Sequence, residues 1–141
     1  AKSNKVSGWQ KEYGYISNGY DEICLELFAK DFRNKNYKRI RISPRITGLC
    51  MLFPKKILEL IGNFDERFGM GNYEDDDFSV RVHNVGYTNI IAEDVFVYHF
   101  GSASFSKNPT AYNNLLKTNG KVFEDKCGES AEIIWGRIYG E

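Results

Sequence analysis

The chain has 141 residues, 42% hydrophobic and 15% aromatic, enough for one ordinary domain that buries roughly 70% of its unfolded surface and too apolar for disorder. Nineteen basic and nineteen acidic residues cancel, so no overall field draws the chain to nucleic acid or an anionic membrane. No apolar run approaches the roughly 18 residues of a membrane helix, and the opening AKSNKVSGWQ has no signal-peptide pattern.

Residues 1–18 are polar and aromatic, read as irregular or weakly extended. Asp21 to Phe32 places Ile23, Leu27 and Phe32 at helical spacing behind acidic first-turn residues, which predicts a helix. Arg39–Ser43 alternates as a strand and stops at Pro44; its basic residues, with Lys38 and Arg45 nearby, read as one exposed face. Gly48–Phe53 (GLCMLF) is a short continuous apolar run, the pattern of a strand buried on both faces. Pro54 suits a first helical turn, so Lys55–Ile61 reads as a helix closed by Gly62 at the left-handed position after its end.

Asn63–Gly71 reads as a loop and Tyr73–Val85 as a helix ended by Gly86, with Phe78, Val82 and Val85 on one face. Thr88–Ala92 and Val95–His99 are strands, Ala111–Asp125 a helix weakened by Gly120, and Ser130–Tyr139 a short final helix. This alternation predicts an α/β unit, a small mixed sheet flanked by helices. No linker or repeat divides it. Cys24, Cys50 and Cys127 are widely spaced and form no CxxC, which suits buried thiols in a reducing compartment.

The stretch GNYEDDDFSVR sets Glu74, Asp75, Asp76 and Asp77 in succession at a helix start. Carboxylates there meet the helix dipole favourably, at about 0.3–1 kcal/mol each, and Asn72 is a candidate cap. Four in a row exceed what the dipole asks for, so solvated cap charges and a working site both remain open. An EF-hand starting at Asp65 would put Arg67 in a ligand position, and fails. Asp75–Asp77 spells DxD, but it opens a helix rather than ending a strand, so that match is read as accidental. A partly desolvated carboxylate among like charges can serve as a general base. Asp75 shares a helical face with Phe78, Ser79 and Val82, whereas Asp76 and Val80 fall on other faces; Asp75 is therefore the choice for chemistry.

Gly48 to Phe105, with its ordered GNFDERF, YEDDDFSVR, GY and VFVYHFGSASF, closely resembles the second half of family 2 glycosyltransferases of GT-A fold, in the rhamnosyltransferase-like branch. The run Asn119–Gly128 is similar to that family's "N..F..KWG", with Cys127 in place of the common Trp. Together these cover about half of the chain. The resemblance implies an inverting transferase that moves a sugar from a nucleotide-sugar donor to a saccharide acceptor in bacterial surface polysaccharide synthesis. Asp75 would be the catalytic base. Glu74 and Asp77 would shape the acceptor pocket, with Tyr73 and Gly48 also binding substrate. Arg81 is read as an ion-pair partner of Asp77 one helical turn away.

His99 matches the histidine that in some relatives helps ligate a divalent cation (Mn2+ or Mg2+) on the donor diphosphate; a plain hydrogen-bonded histidine at a strand end is the alternative. His83 reads as a surface residue. Asp65 and Glu66 would organise their loop over Phe64 and Phe68. The family's nucleotide pocket and true DxD find no counterpart before Gly48, so residues 1–141 are expected to be the acceptor-side portion of a longer transferase. Alone it would lack activity, bind the cation incompletely and expose a sheet edge open to self-association. The expected location is cytoplasmic, with peripheral attachment to the inner membrane face compatible with it. A different class stands beside this: a non-catalytic carbohydrate-recognition module using Trp9, Tyr13, Tyr15 and Tyr20 to stack on sugars. A metal-dependent hydrolase is disfavoured, because two histidines supply no HxH or HExxH.

Overall fold

The computed structural model describes residues 2–3, 22–99 and 109–139; the readings for residues 4–18 and the aromatics Trp9, Tyr13, Tyr15 and Tyr20 lie outside the described residues. In chain order come β1 (Lys2–Ser3), α1 (Glu22–Lys35), β2 (Ile40–Ile42), α2 (Lys55–Ile61), a 3-10 turn (Glu66–Phe68) and α3 (Glu74–Asn84). They are followed by β3 (Ile90–Ala92), β4 (Phe96–Val97), α4 (Pro109–Cys127) and α5 (Ala131–Tyr139). The class is α/β. Its sheet content among the described residues is two separate ribbons. β2 and β3 run antiparallel with Ile40 opposite Ala92 and Ile42 opposite Ile90, and β1 lies parallel to β4 with Lys2 opposite Phe96.

The core is built around α3. On one side Val80 joins Phe68, Phe123, Ile134 and Trp135; on the other Phe78 and Val82 join Ile57. Full burial of each such side chain contributes about 1.5–3 kcal/mol. Phe78 is also covered by Phe64, stacked at 4.6 Å, and by Phe53 at 5.0 Å. α1 packs through Phe28 and Phe32 onto Phe96 of β4, and closes with an Asp31–Lys35 ion pair.

Three expectations need correction. Gly48–Phe53 is not a strand: it pairs with no neighbour among the described residues, and Leu52 is 100% exposed. An apolar run signals contact with something, whereas a strand also needs a partner backbone for its N–H and C=O groups. Here alternate residues pack, Met51 and Phe53 inward and Cys50 and Leu52 outward. Val85 has left the α3 face because the helix ends before it. Cys24 and Cys50 are exposed and only Cys127 is half-buried.

The Asn63–Gly71 loop is organised as expected around Asp65, which accepts the Arg67 backbone N–H at 3.1 Å and ion-pairs with Arg67 and Lys126. The basic face of β2 is exposed, and Arg41 reaches the buried Glu93 at 2.8 Å. Among the described residues no helix is long and apolar enough to cross a membrane.

Candidate functional site

The start of α3 is set by three consecutive residues with positive φ: Gly71 at 110°, Asn72 at 70° and Tyr73 at 70°. A glycine and an asparagine tolerate this region, but a tyrosine there stores about 1–3 kcal/mol of strain. The buried Asn119 of α4 holds the turn. Its amide NH2 donates to the carbonyls of Phe68 and Gly71, both at 2.7 Å, and of Asn72 at 3.2 Å. Tyr73, not Asn72, occupies the cap position, and it supplies no side-chain cap. Its ring packs on Phe123, and its Oη lies 3.3 Å from where a Cβ on Gly120 would be. Gly120, read as a helix weakness, is the space that ring needs.

The four acids then take four environments. Glu74 is half-buried against Gly48 and Gly71; burial first, and the Asp75 charge second, raise its pKa. Asp75 is buried and accepts two backbone N–H groups, from Gly48 at 2.8 Å and Asp76 at 2.9 Å. It makes no ion pair among the described residues. Asp76, 2% exposed, is gripped by Arg45 at 2.5 Å and by the Trp135 indole N–H at 3.1 Å. Burial nevertheless outweighs the half-exposed guanidinium and pushes its pKa up to about 6. Asp77, fully buried, lies between Arg81 at 2.9 Å and Lys126 at 2.7 Å.

A cavity of 490 Å3 opens at this helix start, lined by Gly48, Tyr73, Glu74, Asp75, Asp76 and His99. Arg45, Tyr112, Trp135 and Glu132 also line it. The geometry thus brings together Gly48, Tyr73, Glu74, Asp75 and His99. It leaves Asp77 out: that carboxylate faces the reverse side of α3 and fastens it to α4, so the acceptor-pocket role expected for Asp77 has no geometric basis. The reading of Arg81 holds, since its guanidinium binds Asp77 and the carbonyls of Ile61 and Asn63. His83 is exposed.

Helical periodicity places Asp76 on a different face from Asp75. This does not remove it from the cavity, because α3 is buried nearly all round, with every residue from Asp75 to Val80 inside. A second cluster on its far side was the missing fact. Arg45 and Trp135 come from distant segments, and the only sequence signal for them was a cation and an indole, both able to pair a buried carboxylate.

Two buried polar atoms at the cavity, Asn72 Nδ2 and Glu74 Oε2, have no hydrogen-bond partner among the described residues. The wall carries Glu74, Asp75, Asp76 and Glu132 against Arg45. That balance repels a diphosphate and suits a neutral, hydroxyl-rich ligand able to donate and accept. A divalent cation fits poorly: among the described residues no three of His, Cys, Asp and Glu converge as a ligand group, and His99 alone offers one position where such ions take several oxygen ligands. Comparison of the chain with protein-family models, with curated proteins and with solved structures gives no match.

Proposed function

We propose that the chain is the acceptor side of an inverting glycosyltransferase of GT-A type, family 2, acting in cell-surface polysaccharide synthesis. The observation that carries this reading is Asp75, a buried carboxylate held by two neutral N–H donors inside a polar cavity shared with His99. The cavity would take an acceptor sugar, whose hydroxyls would meet the polar residues of its wall, Tyr73, Glu74 and Asp75 among them. Asp75 would accept the proton of the attacking hydroxyl. As that proton leaves, the acceptor oxygen bonds to the anomeric carbon of the donor, the carbon–diphosphate bond breaks on the opposite face, and its electron pair departs with the nucleotide diphosphate. Attack from the far face inverts the configuration.

The donor pocket and the donor-bound Mn2+ or Mg2+ belong, on this reading, to a nucleotide-binding segment outside the described residues. The chain alone would therefore be inactive. The exposed Ile40 and Ile42 of β2 would be covered by neighbouring strands or a second copy.

The test is sugar transfer from a set of nucleotide-sugars by the polypeptide that joins this chain to such a segment, with the product anomer read by NMR. Inverted product that is lost in Asp75→Asn is expected. Retained configuration, or transfer by Asp75→Asn within tenfold of the unaltered protein, would refute it.

A further inference from the structure

Beside the Asp75 cavity lies a second one, a 580 Å3 groove between α4 and α5 lined by Lys117, Gly120, Lys121, Glu124, Asp125 and Glu132. The two are neighbours with common walls: Tyr73, Leu116, Ala131 and Glu132 line both. Each volume lies within the range of about 300–1,000 Å3 typical of small-molecule sites.

The charged groups of this groove are uncommitted. Among the described residues Lys117, Lys121, Glu124, Asp125 and Glu132 make no side-chain ion pair or hydrogen bond. The 420 Å3 cavity behind α3 is the contrast: there Arg81, Lys126 and Arg137 are all engaged by carboxylates. Two ammonium groups against three carboxylates give the groove donors and acceptors in near balance. An anionic ligand would face the carboxylates; a neutral polyol can use both kinds. The dividing wall is Tyr73, the strained residue that Asn119 pins in place, and strain of this kind concentrates where a ligand must be positioned.

We propose that the α4–α5 groove is a second saccharide subsite, which holds the sugar units next to the one at Asp75, so that the ligand is a neutral oligosaccharide laid across Tyr73. The kind of ligand rests on the transferase reading; the existence of the subsite is tested without it. The 15N-labelled chain is titrated with the mono- and tetrasaccharides of glucose, galactose, mannose and rhamnose.

A tetrasaccharide of at least one series is expected to shift the amides of Lys117, Gly120, Lys121 and Glu124, which line only the groove, together with those of Tyr73 and Asp75. The matching monosaccharide should shift only the latter pair. The variant Lys117→Ala/Lys121→Ala, altered at exposed helix positions where alanine is well tolerated, should weaken the tetrasaccharide about tenfold and leave the monosaccharide unchanged; loss of two charge-assisted hydrogen bonds is enough for that. Groove amides that stay still with all four tetrasaccharides, or a tetrasaccharide affinity indifferent to the double substitution, overturn the subsite. The two readings fail separately. Groove shifts in the chain, when the polypeptide that joins it to a nucleotide-binding segment transfers no sugar, sink the transferase and keep the subsite, whereas transfer by that polypeptide with equal KM for one-unit and four-unit acceptors does the reverse.

Discussion

The backbone N–H of Gly48 points at Asp75 and donates to its Oδ2 at 2.8 Å, so the carboxylate proposed as the base is fixed by a neutral donor from a segment 27 residues away. Its neighbours are fixed by cations, Asp76 by Arg45 and Asp77 by Arg81 and Lys126. Of the three aspartates, Asp75 alone faces the cavity without an ion pair among the described residues. A carboxylate whose partners are peptide N–H groups is held in position and still has lone pairs for an incoming proton.

Asp75→Asn tests that arrangement in two measurements. The amide keeps one acceptor oxygen and presents an NH2 in place of the other, so Gly48 or Asp76 loses its acceptor. Unfolding free energy should fall by about 1–3 kcal/mol, the cost of an unsatisfied buried donor, with the chain still folded. Transfer should fall about a hundred- to ten-thousand-fold, as when a general base is removed. Gly48→Ala is the control for stability: its Cβ would lie 3.4 Å from Asp75 Cβ, an ordinary contact, and the unfolding free energy should stay close to the unaltered value. A Gly48→Ala loss of stability as large as that of Asp75→Asn would assign that loss to packing.

Local signals made most of the elements legible. Pro54 and Gly62 bracket α2, and the glycine at 86 lies two residues beyond the end of α3, while alternation located β2. The site was legible where it depended on one helix start, which is how Asp75, Glu74 and Tyr73 were found together. What escaped was set by tertiary placement. Gly48–Phe53 has strand composition with no partner among the described residues, and Asp76 joins the cavity because Trp135 packs from α5, some 59 positions on. Asn119 sits mid-helix, where nothing local says that its side chain holds three carbonyls of another segment. His99 comes to the cavity two residues beyond the end of β4, which is shorter than the expected Val95–His99 strand, and the ligand group that would make it a metal site does not converge with it among the described residues.

Asp76 should make stability depend on pH. In the folded chain it holds its proton up to about pH 6, against an ordinary value of 3.8. Between those values the folded state binds more protons than the unfolded one, so stability falls as pH rises. The contribution is fully present below about pH 4 and gone above about pH 6, and amounts to about 3 kcal/mol at most at 1.36 kcal/mol per unit. Glu74 is shifted in the same direction and adds to it. Asp65 is shifted the other way by Arg67 and Lys126, so its loss lies below the ordinary carboxylate range, outside this window. Denaturant titrations at pH 5 and pH 7 should show the unaltered chain more stable at pH 5, and Asp76→Asn should shrink the difference. Equal slopes in both proteins would show that Arg45 keeps Asp76 charged throughout.

Asp77 should behave as a structural residue. With Arg81 on one oxygen and Lys126 on the other, it joins α3 to α4, and Lys126 carries the link on to Asp65. Removing one partner of a buried ion pair costs about 3–5 kcal/mol. Lys126→Met and Asp77→Asn should both lower the unfolding midpoint strongly, with saccharide affinity of the folded fraction unchanged. Should Asp77→Asn leave stability alone and raise KM for the acceptor, the pocket role implied by family resemblance would return.

The contact between Tyr73 and Gly120 gives the sharpest stability test. Glycine within a helix is worse than alanine by about 1 kcal/mol, so Gly120→Ala on an unconstrained α4 should stabilise the chain by that amount. Here the new Cβ would meet Tyr73 Oη at 3.3 Å and Cζ at 3.4 Å, and the ring cannot easily retreat because Phe123 lies against it and Asn119 fixes its backbone. The expected result is no gain, or a loss. Tyr73→Phe removes the nearest atom, so in that background Gly120→Ala should recover part of the stabilisation. The coupling between the two changes should reach about 0.5–1 kcal/mol, at the lower end of values for residues in contact. If alanine at 120 adds the same stability whether or not the hydroxyl is present, the ring does not press on α4, and the wall between the two cavities is looser than the structure describes.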